Sequence, residues 1–331
     1  MMTNVLKQRE TILALMVMAL VLLVGLRAPV FVSPASLGNV LTDSTLLIML
    51  ALAQMLVIVT RGIDLSVAST LALCGMVAAM LAAAHPGLPL GVVMLAATVA
   101  GLLLGLVNGA LIGYLDLPPI VVTLGTMSVY RGLVFVLSGG AWVNSHQMPA
   151  HFIAFPLDTL LGATHLVWMA ALAVLACWYG TRHTRFGRDL FAIGNAPASA
   201  RYVGIPIARR LFWTYGISGM VAGLAGYLWV ARYAVAYTEI AYGFEFTVIA
   251  ACVIGGISIA GGAGTVAGAV LGSLFLGVIG NALPVVKVSP FWQSALTGLV
   301  ILAAVLINAR GNQQGGRQIL PLHQIQSGSH T

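Results

Sequence analysis

The sequence predicts an all-α polytopic membrane protein of about ten transmembrane helices, with both termini in the cytoplasm. Composition is the first reason. Of 331 residues, 60% fall in the set AVILMFWYC and only 7% are charged, against roughly a quarter charged in a soluble domain. The charge needed to coat a globule in water is missing, which excludes a large soluble domain at either end. Span arithmetic is the second: at roughly 20 residues per spanning helix, this apolar content fills about ten spans. The third is the distribution of basic residues. With the N-terminus inside and ten crossings, the cytoplasmic side receives Lys7, Arg9, Arg61, Arg182, Arg185, Arg188, Arg201, Arg209, Arg210, Arg310 and Arg317, which are 11 of the 15. Arg27, Arg232 and Lys287 fall outside and Arg131 within a span, so an inside-positive bias and an even number of spans agree.

Segmentation at charges, prolines and polar clusters places the spans in order. The first, 11–27, follows Lys7 and Arg9 in the manner of a signal peptide, but Leu26-Arg27-Ala28-Pro29 offers no small-x-small cleavage pattern, so a retained helix is expected. Spans follow at 43–60, 64–84, 88–114, 119–138, 160–180, 210–231, 243–259, 265–284 and 291–308. Most connections are short, as in packed antiparallel helices; the segments 139–159 and 181–209 are long enough to act on their own. Residues 1–310 are expected to form one transmembrane domain, and 311–331, rich in Gln, Gly and Ser without apolar period, a disordered cytoplasmic tail. Gly101, Gly105 and Gly109, and again Gly264, Gly268 and Gly272, recur every four residues. That spacing puts each set on one helix face, where backbones can approach closely.

Other classes find little support. A formal charge of +7 follows from topology and implies no nucleic acid partner. Cys74, Cys177 and Cys252 lie inside apolar runs with neither a disulfide nor a zinc spacing. No HExxH, GxSxG or GxxxxGK[ST] pattern occurs, and neither lysine follows a glycine, so an enzyme or a nucleotide site of the chain's own is not expected. Gly255-Gly256 through Gly261-Gly262-Ala263-Gly264 resembles a nucleotide fingerprint without its βαβ context, and reads as a tight membrane turn with helix packing. His146, Met148 and His151 fit an ordinary loop better than a soft-metal site, so neither metal nor cofactor is expected. Ion-coupled transport is the rival from another class, with Asp64, Arg131 and Glu245 as candidates, since intramembrane charge marks ion pathways. Asp64 and Glu245 also suit helix junctions, and Arg131 either snorkels or pairs with an acid such as Glu245.

The segment 182–210, RHTRFGRDLFAIGNAPASARYVGIPIARR, holds six arginines beside Leu190, Phe191, Ile193, Tyr202, Val203 and Ile205. These apolar residues exceed the needs of a passive loop and suit a short amphipathic helix that docks a partner. Here the chain resembles the permease subunits of bacterial ABC importers for monosaccharides, of the ribose, xylose, rhamnose and autoinducer-2 type. The resemblance spans residues 5 to 310 and is carried by RGIDLSVAS at 61–69, PPIVVTLGT at 118–126 followed by Arg131-Gly132, FGRDLFAIGNAPASARYVGI at 186–205, and FEFTVIAACVIGGISIAGGAGTVAGAVLG at 244–272.

The resemblance implies a separate cytoplasmic ATPase that uses the ATP, a periplasmic sugar-binding protein, a second permease copy or paralogue, and residence in the bacterial inner membrane. It makes 182–210 the ATPase-coupling loop, with Phe186, Gly187, Arg188, Gly194, Pro197, Arg201 and Gly204 at motif positions. Ala196 stands where such permeases usually carry Asn, and Ala68 where they carry Gly. Candidates for the translocation path or helix junctions are Asp64, Ser66, Ser69, Thr123, Gly125, Thr126, Arg131 and Glu245; their hydroxyls either line the path or bond back to helix carbonyls. Gly255, Gly256, Gly261, Gly262, Gly264 and Gly268 are the packing glycines of the last motif. The segments 135–148, 227–237 and 281–291 are most similar to L-rhamnose permeases, with autoinducer-2 permeases next. A branched-chain amino-acid permease is the near alternative, sharing the late glycine motif but without RGIDLS.

Overall fold

A computed structural model describes residues 2–287 and, beyond them, 289, 291, 292, 294, 295, 298, 299 and 302. The expected tail 311–331 lies outside these residues, as does most of the expected span 291–308. Helices α1 (Met2–Arg27), α2 (Pro34–Val59), α3 (Val67–Ala84), α4 (Leu90–Gly113) and α5 (Pro119–Ser138) come first. A short helix α6 (Ala150–Ala154) precedes α7 (His165–His183), α8 (Arg185–Asn195) and α9 (Pro197–Tyr202). The chain continues through α10 (Ile207–Tyr233), α11 (Phe244–Ile254) and α12 (Val266–Val285). Strands are two residues long: Val143–Asn144 pairs antiparallel with Val235–Ala236, and Thr159–Leu160 with Ala163–Thr164.

Among the described residues, seven helices are long and apolar enough to cross a membrane: Glu10–Arg27 within α1, α2, α3, α4, α5, α10 and α12. The expected span 243–259 is corrected. Its helix, α11, has 11 residues, about 16 Å at 1.5 Å per residue, roughly half of a hydrocarbon core. Before it the chain turns at 234–243, where Ala236 and Ile240 are fully buried while Glu239 and Tyr242 are exposed; after it Gly256 takes φ 79° and ends it. The expected span 160–180 changes too: 159–164 folds as a hairpin, α7 starts only at His165 and is not among the seven, so the described residues do not reach the expected ten spans. Helix α2 begins nine residues before the expected 43, with Ser33 Oγ accepting from Ser36 N (3.3 Å) and Pro34 in the first turn. Asp43, the charge that suggested a boundary, lies inside α2 and pairs with Arg232.

Helices α2 and α10 form the centre. Most of α2 is buried on every side, as a helix apolar all round must be in a folded bundle. Helix α10 lies against α4, α3 and α2 through small residues on both sides. A Cβ at Gly101 would stand 2.7 Å from Gly223 Cα, and one at Gly105 2.9 Å from Gly219 Cα. At Gly75 it would lie 2.7 Å from Gly226 O. Lipid gives helices no hydrophobic reason to associate, so this close backbone approach supplies the packing.

Substitution Gly105→Ala should force α4 off α10 and lower unfolding stability in detergent by about 1–3 kcal/mol. Gly91→Ala, on α4 but with nothing within 4 Å of the added methyl, should leave the unfolding midpoint unchanged or slightly raised.

Candidate functional site

The basic residues gather at one end of the bundle, where α2 ends, α7 leads into α8, and α11 turns into α12. Thr184 starts α8: its hydroxyl accepts from Gly187 N (3.1 Å) and donates to Gly180 O (2.6 Å). One face of α8 is buried through Gly187, Leu190, Ile193 and Gly194. On another, Asp189 pairs with Arg210 of α10 (2.6 Å), whose guanidinium also lies over the Phe186 ring. The end of α8 is clamped. Arg61, at φ 68°, donates from Nε to Gly194 O (2.7 Å) and from Nη2 to Asn195 O (3.1 Å). Gly262 N donates to Val59 O (2.9 Å), and Gly261 and Gly262 adopt φ of 85° and 72°. A Cβ at Gly194 would collide with Val59 O and Gly262 N, so only glycine fits between the two segments.

The residues expected in the coupling loop therefore divide. Gly187 and Gly194 are buried, and Phe186 and Pro197 are partly buried. Arg188, Arg201 and Gly204, the last at φ 80°, face outward. Beside them Tyr202 and Val203 stand 91% and 75% exposed.

Asp64 lies deeper, between α2 and α3. Its Oδ1 accepts from Ser66 N (2.9 Å) and Ser66 Oγ (2.6 Å), and its Oδ2 from Ser218 Oγ of α10 (3.2 Å). Asn108 Nδ2 of α4 donates to Ser66 Oγ (2.8 Å). The Gln54 carboxamide, with its nitrogen turned toward Asp64 O, meets both backbone groups of Asp64 at 3.2 and 3.1 Å. Thr123 Oγ1 donates to Pro119 O (2.9 Å) and Ile63 O (3.0 Å), tying α5 to the same junction. Ser69 Oγ bonds to Ser66 O and Thr126 Oγ1 to Val122 O. The hydroxyls of Ser66, Ser69, Thr123 and Thr126 thus point to protein partners within the bundle. Gly125 lies on the exposed face of α5.

Arg131 and Glu245 belong to a third place, toward the opposite end. Arg131 Nη1 donates to Ile240 O (2.5 Å) and Nη2 to Ala241 O (3.2 Å), while its guanidinium lies 5.7 Å from the Tyr242 ring centre. Its hydrogen bonds go to these two carbonyls, while Glu245 and Glu239 attract its charge through space without a close ion pair. Glu245 is buried in the first turn of α11, where unpaired helix N–H groups favour negative charge. Beside this turn lies a recess of about 490 Å³, lined by Trp229, Tyr237, Glu239, Tyr242, Phe244, Thr247 and Ser294 among others. The packing glycines are separate again: Gly255 meets Gly268 backbone to backbone, and Gly264 packs on Ile257. Met148, considered as a metal ligand, is buried in the main core.

Comparison with known proteins identifies the frame that carries these features. The family described as the branched-chain amino acid transport system permease component matches residues 36–305. The chain belongs to this permease family. Among curated relatives, the autoinducer 2 import system permease protein LsrC of Enterobacter sp. (strain 638) is 35% identical over 323 residues, covering 98% of this chain and 92% of the relative. LsrC proteins of Shigella flexneri and of Yersinia pseudotuberculosis serotype O:1b (strain IP 31758) are 34% and 33% identical over 302 residues, each covering 91% of this chain and 87% and 85% of the relative. No solved structure matches the chain significantly. The permease is a multi-pass membrane protein and a transport subunit.

Sequence reasoning missed Gln54, Asn108 and Ser218, whose signal was a lone polar residue within an apolar helix. It also missed Glu239 and Tyr242, which look like ordinary loop residues until Arg131 is seen to hold their turn. Replacing Asp64 with Ala would leave three donors without their acceptor, at about 1–3 kcal/mol for each buried group left unpaired. Lower thermal stability of the purified permease is expected, with Asp64→Asn milder because its carboxamide oxygen still accepts.

Proposed function

We propose that the permease is the membrane subunit of an ABC-type importer in the bacterial inner membrane, moving a small sugar-like solute inward by alternating access. A separate cytoplasmic ATPase docks on α8 and α9 and hydrolyses the ATP. A periplasmic binding protein delivers the solute, and a second permease copy or paralogue completes the path. The carrying observation is the α8–α9 unit: a short helix anchored by its buried face and by Arg61, followed by exposed Arg201, Tyr202 and Val203. An apolar tip ringed by arginines, held rigidly on the bundle, suits a partner that pushes on it. This reading puts the basic end, and with it the start of α1, in the cytoplasm, where the inside-positive bias of the sequence also puts the C-terminus.

Autoinducer-2 is the solute we put first, because the relatives are named for it. L-rhamnose rests on the likeness of the segments 135–148, 227–237 and 281–291 alone and stands second. The amino-acid class in the family's description is disfavoured by RGIDLS at 61–66. A proton- or sodium-coupled carrier would need a free intramembrane carboxylate. Of its two candidates, Asp64 has both oxygens engaged by Ser66 and Ser218, and Glu245 is buried in the first turn of α11 and is tested by the ion-gradient arm of the uptake experiment.

Uptake of labelled autoinducer-2 and L-rhamnose, in cells carrying this permease with its neighbouring genes, should require an ATPase able to hydrolyse ATP. Uptake that survives an inactive ATPase and collapses with the ion gradient would sink the ABC reading. Arg188→Ala should leave membrane insertion intact yet lower solute moved per ATP hydrolysed by about tenfold or more. Arg61→Ala, which releases the end of α8, should do the same. Normal transport by both variants would show that α8 is not the coupling element.

A further inference from the structure

Building on the importer reading, we infer that the recess beside the 234–243 turn is a ligand-contact site of the permease itself, taking a small neutral polyhydroxylated molecule and excluding amino acids. Its volume, about 490 Å³, lies within the range of roughly 300–1,000 Å³ typical of small-molecule sites. The walls combine aromatic rings with a carboxylate. Trp229 and Phe244 meet edge to face at 5.0 Å, and Tyr237 is braced by Trp142 at 5.3 Å. Glu239 makes no close side-chain hydrogen bond or ion pair among the described residues, although the Arg131 charge attracts it through space. Ring faces take the C–H surface of a sugar-like molecule, and an unengaged carboxylate accepts two hydroxyl protons in charge-assisted bonds.

The turn is built rather than loose. Ala234 and Ala241 adopt φ of 54° and 52°, a region where non-glycine residues are uncommon, and Gly243 follows at 78°. Two hydrogen bonds from Arg131 and the antiparallel pairing of Val143–Asn144 with Val235–Ala236 hold it there. Placed so, Glu239 and Tyr242 stand at opposite ends of one short turn on the recess wall.

Charge selects the ligand class. Among the described residues no Lys, Arg or His lines the recess, so an amino acid, even with its ammonium on Glu239, would bring its carboxylate close to that acid with no cation lining the recess to receive it. Arg131, beneath Tyr242, has both Nη groups committed to carbonyls. A neutral polyol meets neither obstacle.

Thr247 lines the recess and serves as a reporter. The full-length Thr247→Cys permease, in a Cys177→Ala background and reconstituted in nanodiscs, is treated with a membrane-impermeant maleimide. Labelling is followed alone and with autoinducer-2, L-rhamnose or L-leucine. At least one of the two polyols should slow labelling by about fivefold or more while L-leucine does not. Adding Glu239→Gln should raise the half-protecting concentration about tenfold, the loss expected for a charge-assisted contact. Ser294→Cys provides the same measurement if Thr247→Cys does not assemble. The inference is overturned if neither polyol protects, if L-leucine protects as well as they do, or if Glu239→Gln leaves protection unchanged. Uptake separates the two readings: protection without ATP-driven uptake sinks the importer and keeps the recess, whereas uptake without protection sinks the recess alone.

Discussion

Backbone that leaves the helical form inside a bilayer must find its hydrogen bonds within the protein, because lipid offers none. Two breaks within this permease meet that constraint with a charged side chain, and a third, at the exposed basic end, is capped in the same way. At the α2–α3 junction the Asp64 carboxylate receives Ser66 N–H. At the turn before α11, Arg131 donates to the carbonyls of Ile240 and Ala241. At the end of α8, Arg61 donates to the carbonyls of Gly194 and Asn195. An acid serves where free N–H groups begin a helix, and arginines serve where carbonyls are left over. Charge here acts as a cap on broken backbone, and none of the three residues forms a close ion pair among the described residues.

Between the breaks the bundle is held by glycine contacts, and these differ in kind from a soluble core. A Leu interface interdigitates and resists sliding; a Gly101–Gly219–Gly105 interface is smooth and stabilised by close backbone approach. The permease therefore joins long rigid helices through surfaces that fix their distance without locking every side chain. Such an arrangement favours rigid-body displacement over local repacking.

Much of this was legible from the chain alone. The apolar runs placed α3, α4, α5, α10 and α12 within a few residues, and four-residue glycine spacing marked one side of the central seam. Its other side, Gly219, Gly223 and Gly226, was not singled out, because its spacing mixes three and four. The half-length of α11 was hidden because the apolar run 244–259 continues across Gly255 and Gly256, so hydropathy sees one segment where the backbone breaks. Asp43 misplaced the start of α2 because a charge reads as an interface unless its partner, here Arg232, lies 189 residues away. The partners of Asp64 and Arg131 were illegible for the same reason. Ser218 reaches Asp64 from 154 residues away, and Arg131 bonds main-chain carbonyls 109 and 110 residues on, which no side-chain pattern records; Ser66, two residues from Asp64, is the local exception.

The proposed coupling end and the proposed ligand recess lie at opposite ends of the same helix. Helix α10 starts beside Arg210, which is paired with Asp189 of α8, and ends beyond Trp229 on the recess wall. Its 27 residues span about 40 Å, so a small tilt imposed at α8 moves its far end by a larger distance. Helix α11 repeats the connection, since the glycine turn that follows it is bonded to Val59 beside the Arg61 clamp and its first residue, Phe244, lines the recess. Helix α10 thus runs from the proposed docking surface to the proposed recess, α11 with the glycine turn after it bridges the same two places, and both helices carry aromatic residues of the recess wall. A displacement of α8 would shift Trp229 and Phe244 together and reshape the recess, without any chain of side-chain rearrangements in between.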